Sequence, residues 1–358
     1  MGAQVVERVF PPDVRERLAR SVELAGPPLT GPLHGPAAAR ALGAAEVLVT
    51  GWDCPPLTAE VLDLAPRLRA VIHAAGSVRP IVTDAVWERG LTVSSAADAN
   101  AGPVVAFTLA AVTFAAKGAL AAAAGYARAW PGFTERTGAD GRVVGVIGAS
   151  RIGRRVIEAL RADPAGYRVL LCDPYVDADG AARLGVELVG LAELCRRSSV
   201  VSVHAPELPT TRGMVSAEML RLIPDGGTVI NTARGALVDT QALAAECGTG
   251  RLSAYLDVTT PEPLPAGHPL LTLPNVLVTP HVAGAQGSEV RRLGVYAVEE
   301  VERYVSGREP AGRVDRGTCG GSRERAPTRP PRQAVPRAPR ARGTLRFRSD
   351  HRPRYDDT

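Results

Sequence analysis

Three segments late in the chain carry side chains suited to chemistry at matching positions: INTARGALVD (Ile230 to Asp239), LDVTTPEPLP (Leu256 to Pro265) and VTPHVAG (Val278 to Gly284). Each opens on apolar strand-forming residues and ends in a turn, so Arg234, Glu262 and His281 are expected at the carboxyl ends of strands, where open α/β sheets bind ligands. Arginine presents a planar fork that grips a carboxylate and a neighbouring oxygen. Histidine is the side chain that titrates nearest neutrality, and a glutamate beside it would orient the ring. A fixed cation next to a proton donor suits reduction of a carbonyl, in which negative charge develops on oxygen. Taken singly, each has a plainer reading: a solvated arginine, a loop acid between prolines, a structural histidine. Their shared placement points to chemistry.

Upstream, GVIGASRIG (Gly145 to Gly153) nearly spells a dinucleotide-binding loop. In such a loop the first glycine makes the tight turn, the second lets backbone approach the pyrophosphate, and the third lets helix and strand pack closely. Gly148 and Gly153 supply the first and third; Ser150 occupies the second. If that position demanded positive φ, a serine would cost about 1–2 kcal/mol. The surroundings fit a strand (VVGVI), an amphipathic helix (RIGRRVIEAL) and a second strand (YRVLLCD) ending in Asp173, 20 residues after Gly153. An acid there can bond both adenosine ribose hydroxyls and repel a 2′-phosphate, which favours NAD over NADP.

Runs such as AEVLVTG, LRAVIHAAG, SSVVSVHAP, GGTVINTA, LSAYLDV and NVLVTPH alternate with helix-length segments. Continuous Val/Ile/Leu runs in that arrangement read as parallel strands buried on both faces, in two sheets. A helix is expected at 101 to 118. The helical pattern from Gly287 to Ser306 follows the second group of strands and could return to the first.

Together these segments, over roughly residues 40 to 310, resemble the D-2-hydroxyacid dehydrogenase family, which interconverts 2-hydroxy and 2-oxo acids with NAD. The resemblance implies an α/β fold with two doubly wound parallel-sheet domains. A Rossmann NAD-binding domain (119–285) would be inserted in a discontinuous flavodoxin-like catalytic domain (1–118 and 286–310). It implies that Arg234, Glu262 and His281 are catalytic. Cofactor contacts would come from Gly148, Ser150, Arg151, Ile152, Gly153, Asp173, His204, Ala205, Pro206, Thr232, Ala233, Asp257 and Gly284. Thr232 and Ala233 would lie near the nicotinamide ribose, and Asp257 would hold the carboxamide. HAAGSVRP (His73 to Pro80) matches the loop whose N–H groups take the substrate carboxylate, with Gly76 and Ser77 as contacts alongside Arg234. Arg79 is read as a surface salt bridge or second cation. NAGPVVAFTLA resembles the interdomain helix, but Ala106 stands where a glutamate is common. The Ala-rich segment that follows resembles a dimerisation element, so a homodimer is expected.

The chain has 358 residues and a net charge of +5, but 13 Arg against 5 acids fall in 311–358, leaving 1–310 mildly acidic. Nucleic acid is therefore not an expected partner of the body. The Arg/Pro/Gly composition of 311–358 reads as a disordered basic tail. Five scattered cysteines suggest neither disulfides nor zinc, and a cytoplasmic location is expected. No metal is expected. VVAFTLAAVTFAA is too short to span a bilayer and reads as a buried helix. The small-acid dehydrogenase reading competes with a non-catalytic NAD(H)-sensing regulator of the same fold, for which Ser150, Ala106 and the tail speak.

Overall fold

The structure is a computed structural model that describes residues 1–126 and 130–319. Its strands, in chain order, are β1 (Val47–Thr50), β2 (Ala70–His73), β3 (Thr92–Ser95), β4 (Val143–Ile147), β5 (Arg168–Cys172), β6 (Glu187–Leu188), β7 (Val200–Val203), β8 (Thr228–Asn231), β9 (Ser253–Leu256), β10 (Val276–Val278) and β11 (Arg313–Val314). They form a small sheet of order β1-β2-β3-β11 and a large one of order β10-β9-β8-β7-β4-β5-β6.

In the large sheet, β4, β7 and β8 are almost wholly buried, because helices cover both faces. One face packs Leu194, Leu220, Leu237 and Leu243. The other packs Ala111, Val112 and Ala115 together with Val156, Ile157 and Leu160. The chain runs β4-β5-β6 in one direction, then returns to lay β7 on the other side of β4. That reversal opens a crevice above the carboxyl ends of β4 and β7, the place where α/β sheets take ligands.

The Ala97–Ala116 helix is longer than the expected 101–118 segment at its start, because Ala97 to Asn100 continue the turn before Pro103. By length and composition it could cross a membrane; here its Ala111, Val112, Ala115 and Ala116 lie buried against the large sheet and the Arg151–Ala162 helix. The Arg291–Val305 helix comes after the large sheet, yet packs Leu293, Ala297, Val298 and Val301 with Ile72 and the N-terminal Val9, Phe10 and Val14. It thus covers the small sheet.

One boundary is corrected. Residues 311–319 do not belong to a disordered tail: β11 pairs antiparallel with β3, followed by the Arg316–Cys319 helix. Buried Glu300 explains this, since its carboxylate accepts the N–H groups of Ala311 (2.9 Å) and Gly312 (2.8 Å) as well as the Ser94 hydroxyl. The small sheet is therefore mixed rather than purely parallel. The rest of the expected tail, 320–358, lies outside the described residues.

Candidate active site

At the end of β4, Gly148 has φ +96°, and a Cβ there would stand 2.6 Å from the Ala205 nitrogen, so only glycine fits. The turn is pressed against the His204–Ala205 segment that leaves β7. Ser150 has φ −62° and ψ 178°, an extended conformation open to any residue. The anticipated penalty is not incurred. Its hydroxyl instead caps the Arg151–Ala162 helix by accepting the Gly153 N–H at 3.3 Å.

Asp173 reaches back to this loop. Its Oδ2 accepts the Ala149 N–H at 2.6 Å and its Oδ1 the Tyr175 N–H at 2.7 Å. The Arg151 side chain pairs with Asp98 (3.3 Å), and Arg155 bonds both the Asp98 carboxylate (2.7 Å) and its carbonyl (2.9 Å). The guanidinium of Arg151 is thus turned to the Ala97–Ala116 helix. What Arg151 and Ile152 offer the loop is main chain: first-turn N–H groups that a helix leaves over.

Asn231 ends β8 and folds the next turn: its Oδ1 accepts the Ala233 N–H (3.0 Å) and its Nδ2 donates to the Arg234 carbonyl (2.9 Å). Arg234 is exposed, with Nη1 donating to the Ala233 carbonyl at 2.6 Å. A Cβ on Gly235 would sit 2.0 Å from the Thr259 carbonyl oxygen. This contact lays the Arg234 turn directly on the loop that carries Glu262. Thr232 is buried, its hydroxyl bonded to that of Thr108 at 2.9 Å.

His281 and Glu262 come together: Nδ1 and Oε1 are 2.7 Å apart, with the side chains 52% and 41% exposed. The His281 backbone is held at φ +54° by its N–H, which donates to the carbonyls of Asp257 (2.9 Å) and Thr279 (3.0 Å). Buried Asp257 binds the same loop with both oxygens, accepting from the Thr279 hydroxyl (2.6 Å) and from the N–H groups of Val282 (2.7 Å) and Ala283 (2.9 Å). In this structure the Asp257 carboxylate therefore builds the His281 loop.

His204 is buried, with Nε2 against the Ser202 hydroxyl at 2.8 Å. Burial pushes its pKa down to about 4, so the ring is neutral near pH 7. Pro206 follows as the segment emerges toward solvent.

Across the crevice, the Gly76–Ser77 loop leaves β2. Asn100 stands between it and the His281 loop: its Oδ1 accepts the Ala285 N–H (2.9 Å), while Cβ atoms built on Gly76 and Gly284 would come within 3.0 and 3.2 Å of its amide. Arg79 donates to the Glu207 carbonyl at 3.1 Å, linking this loop to the segment after β7. Sequence reasoning missed Asn100, Asn231 and Thr108. Each is a polar residue within an apolar helix or at an apolar strand's end, which was the available signal. Among the described residues no cluster of His, Cys, Asp or Glu could hold a metal ion.

A glycine turn at the switch point of a parallel sheet, closed by an acid on the adjacent strand, defines a dinucleotide-binding α/β protein. Residues 108–283 match the family model of the D-isomer specific 2-hydroxyacid dehydrogenase NAD binding domain. A glyoxylate reductase from Korarchaeum cryptofilum is 33% identical over 268 residues, covering 73% of this chain and 80% of that protein. The TT0316 protein of Thermus thermophilus superposes with a TM-score of 0.68 at 32% identity, covering 86% of this chain and 98% of that one. A D-3-phosphoglycerate dehydrogenase from Methanocaldococcus jannaschii is 32% identical over 255 residues, 70% of this chain and 48% of that protein. The chain spans about half the length of the phosphoglycerate dehydrogenases it matches. It belongs to the D-isomer specific 2-hydroxyacid dehydrogenase family, whose NAD-binding domain it carries. NAD is accordingly its cofactor, and the site fits it: the Gly148 turn, the first-turn amides of the Arg151–Ala162 helix and the Asp173 carboxylate surround one crevice.

Proposed function

We propose that the protein is an NAD-dependent oxidoreductase interconverting a small 2-hydroxy acid and the corresponding 2-oxo acid. The observation that carries this reading is the 2.7 Å His281–Glu262 pair on the loop built by Asp257, beside the turn that presents Arg234.

Bound NADH supplies the hydride. Arg234 grips the substrate carboxylate and polarises the adjacent oxo group, stabilising the charge that develops on oxygen. Because Glu262 occupies Nδ1 of His281, Nε2 is the atom that gives a proton to that oxygen, and takes it back in the reverse direction. Gly76 and Ser77 offer main-chain N–H groups to the carboxylate from the small sheet. Asp173 selects the unphosphorylated ribose of NAD over NADP.

A second copy of the chain fits the apolar surface near the end of the Ala97–Ala116 helix. Phe114, Tyr126, Trp130 and Phe133 are 56%, 67%, 70% and 87% exposed. Light scattering at micromolar concentration should give the mass of a homodimer, and a monomer mass alone rejects it.

The activity is tested by titrating the full chain with NADH and NADPH, then following the reduced-cofactor absorbance over a panel of 2-oxo acids. Tight NADH binding and its oxidation by one acid support the enzyme; binding without turnover on any acid favours the regulator.

A further inference from the structure

The carboxyl edge of the small sheet carries a row of buried polar residues, Thr50, His73 and Ser95, which are partners in register across β1, β2 and β3. Buried polar groups cost free energy unless they are hydrogen-bonded, so an apolar residue would serve packing better. His73 is the last residue of β2, immediately before the Ala74–Ser77 loop. Its Nδ1 lies 2.9 Å from the Thr50 hydroxyl, and the Thr50 carbonyl accepts the Ala74 N–H at 2.8 Å. Thr50 therefore holds both the imidazole and the first residue of the loop.

Burial pushes the His73 pKa down to about 4, and the main chain of Ser77 acts on the ring in the opposite direction, as an accepting carbonyl does. At neutral pH the ring is uncharged, with one donor and one acceptor edge. The bond to the Thr50 hydroxyl holds the ring against β1.

We propose that His73 is the positioning residue of the substrate loop: tied to Thr50, whose carbonyl also holds the first N–H of the loop, it aims the Gly76 and Ser77 N–H groups at the substrate carboxylate. This rests on the 2-oxo acid reading above. The far side of the same loop is bounded by Asn100, so polar side chains flank the loop on both sides, while Ala74 and Val78 anchor its ends in the apolar core.

The test uses the full chain and the variants His73→Leu, His73→Asn, Thr50→Val and the His73→Leu/Thr50→Val pair, with two readouts. Amide hydrogen exchange over residues 74–80 reports the loop whether or not the protein turns over. It should rise about tenfold in His73→Leu and Thr50→Val, return toward wild type in His73→Asn, which keeps a bonding atom near Nδ1, and rise no further in the pair. With a 2-oxo acid that the protein reduces, KM should rise about tenfold in His73→Leu, with kcat within threefold and NADH affinity unchanged. Unchanged exchange over 74–80, additive effects in the pair, or exchange raised equally throughout the chain overturns the role of His73. Thr50→Val leaves the ring in place and decides the matter if His73→Leu fails to fold. Faster loop exchange in the variants, beside a wild-type chain that reduces no 2-oxo acid, overturns the functional reading instead, and with it the carboxylate as the loop's target.

Discussion

Ser150 Oγ accepts the main-chain N–H of Gly153 at 3.3 Å, so the residue in the second-glycine slot caps the helix it introduces. With φ at −62° the serine carries no left-handed strain. Ser150→Ala should lower stability by about 0.5–2 kcal/mol, and Ser150→Gly by only a few tenths. Urea denaturation reads both. NADH affinity should change less than threefold in Ser150→Gly; a gain of tenfold or more would show that the hydroxyl obstructs the pyrophosphate.

Glu262 and His281 should separate chemistry from cofactor binding. His281→Ala removes the Nε2 proton and should reduce kcat by about 10²–10⁴ while the NADH dissociation constant stays within twofold. Glu262→Gln keeps a bond to Nδ1 and should retain more activity than Glu262→Ala. Stopped-flow turnover beside a fluorescence titration checks both. Full activity in His281→Ala would sink the assignment of the proton donor.

Asp173→Ala should act in the opposite sense. It removes the acceptor for the Ala149 N–H and the group placed for the ribose, so NADH affinity should fall about tenfold and NADPH be discriminated less. Near-normal kcat at saturating cofactor is expected, and an unchanged NADH affinity would contradict the role of this acid.

Much of this was legible in the residues. The apolar runs of β4, β7 and β8 announced a buried parallel sheet because nothing but helices on both faces tolerates them. Arg234, Glu262 and His281 stood out because each follows such a run. Glu262 and His281 pair across 19 positions of sequence, and that contact depends on Asp257, whose binding of the 279–283 loop no local pattern reveals. The order of residues 311–319 was hidden for a related reason. Their Arg/Gly composition offers no core, and what fixes them is Glu300, a buried acid on the preceding helix that reads locally as an exposed one.

Acid should weaken the fold in two stages. His73 and His204 are buried and neutral, each with its pKa lowered from 6.5 to about 4. The unfolded chain takes up protons below pH 6.5 and the folded one does not, so stability is complete above 6.5 and is lost as pH falls toward 4. The loss is about 3 kcal/mol for each ring and levels off below 4. Glu302, held below its usual range mainly by its hydrogen bond to Arg17, contributes above 4.5 and loses its part only below that. Urea midpoints between pH 7 and 4.5 should therefore fall steadily, and less steeply in His73→Asn.

Shortening the chain provides the sharpest test of the C-terminal strand. Glu300 is 1% exposed, and two of its three hydrogen-bond donors are the N–H groups of Ala311 and Gly312. A chain ending at Pro310 lacks both of these donors and bares the edge of β3. Bonds to a charged acceptor contribute about 1.5–3 kcal/mol each, so 1–310 should be about 3–6 kcal/mol less stable than 1–319. The urea midpoint should drop with little change in slope. Glu300→Gln, which removes the buried charge, should recover part of the loss in 1–310 and destabilise 1–319. Equal midpoints for the two lengths would mean that β11 lies on the sheet without holding it.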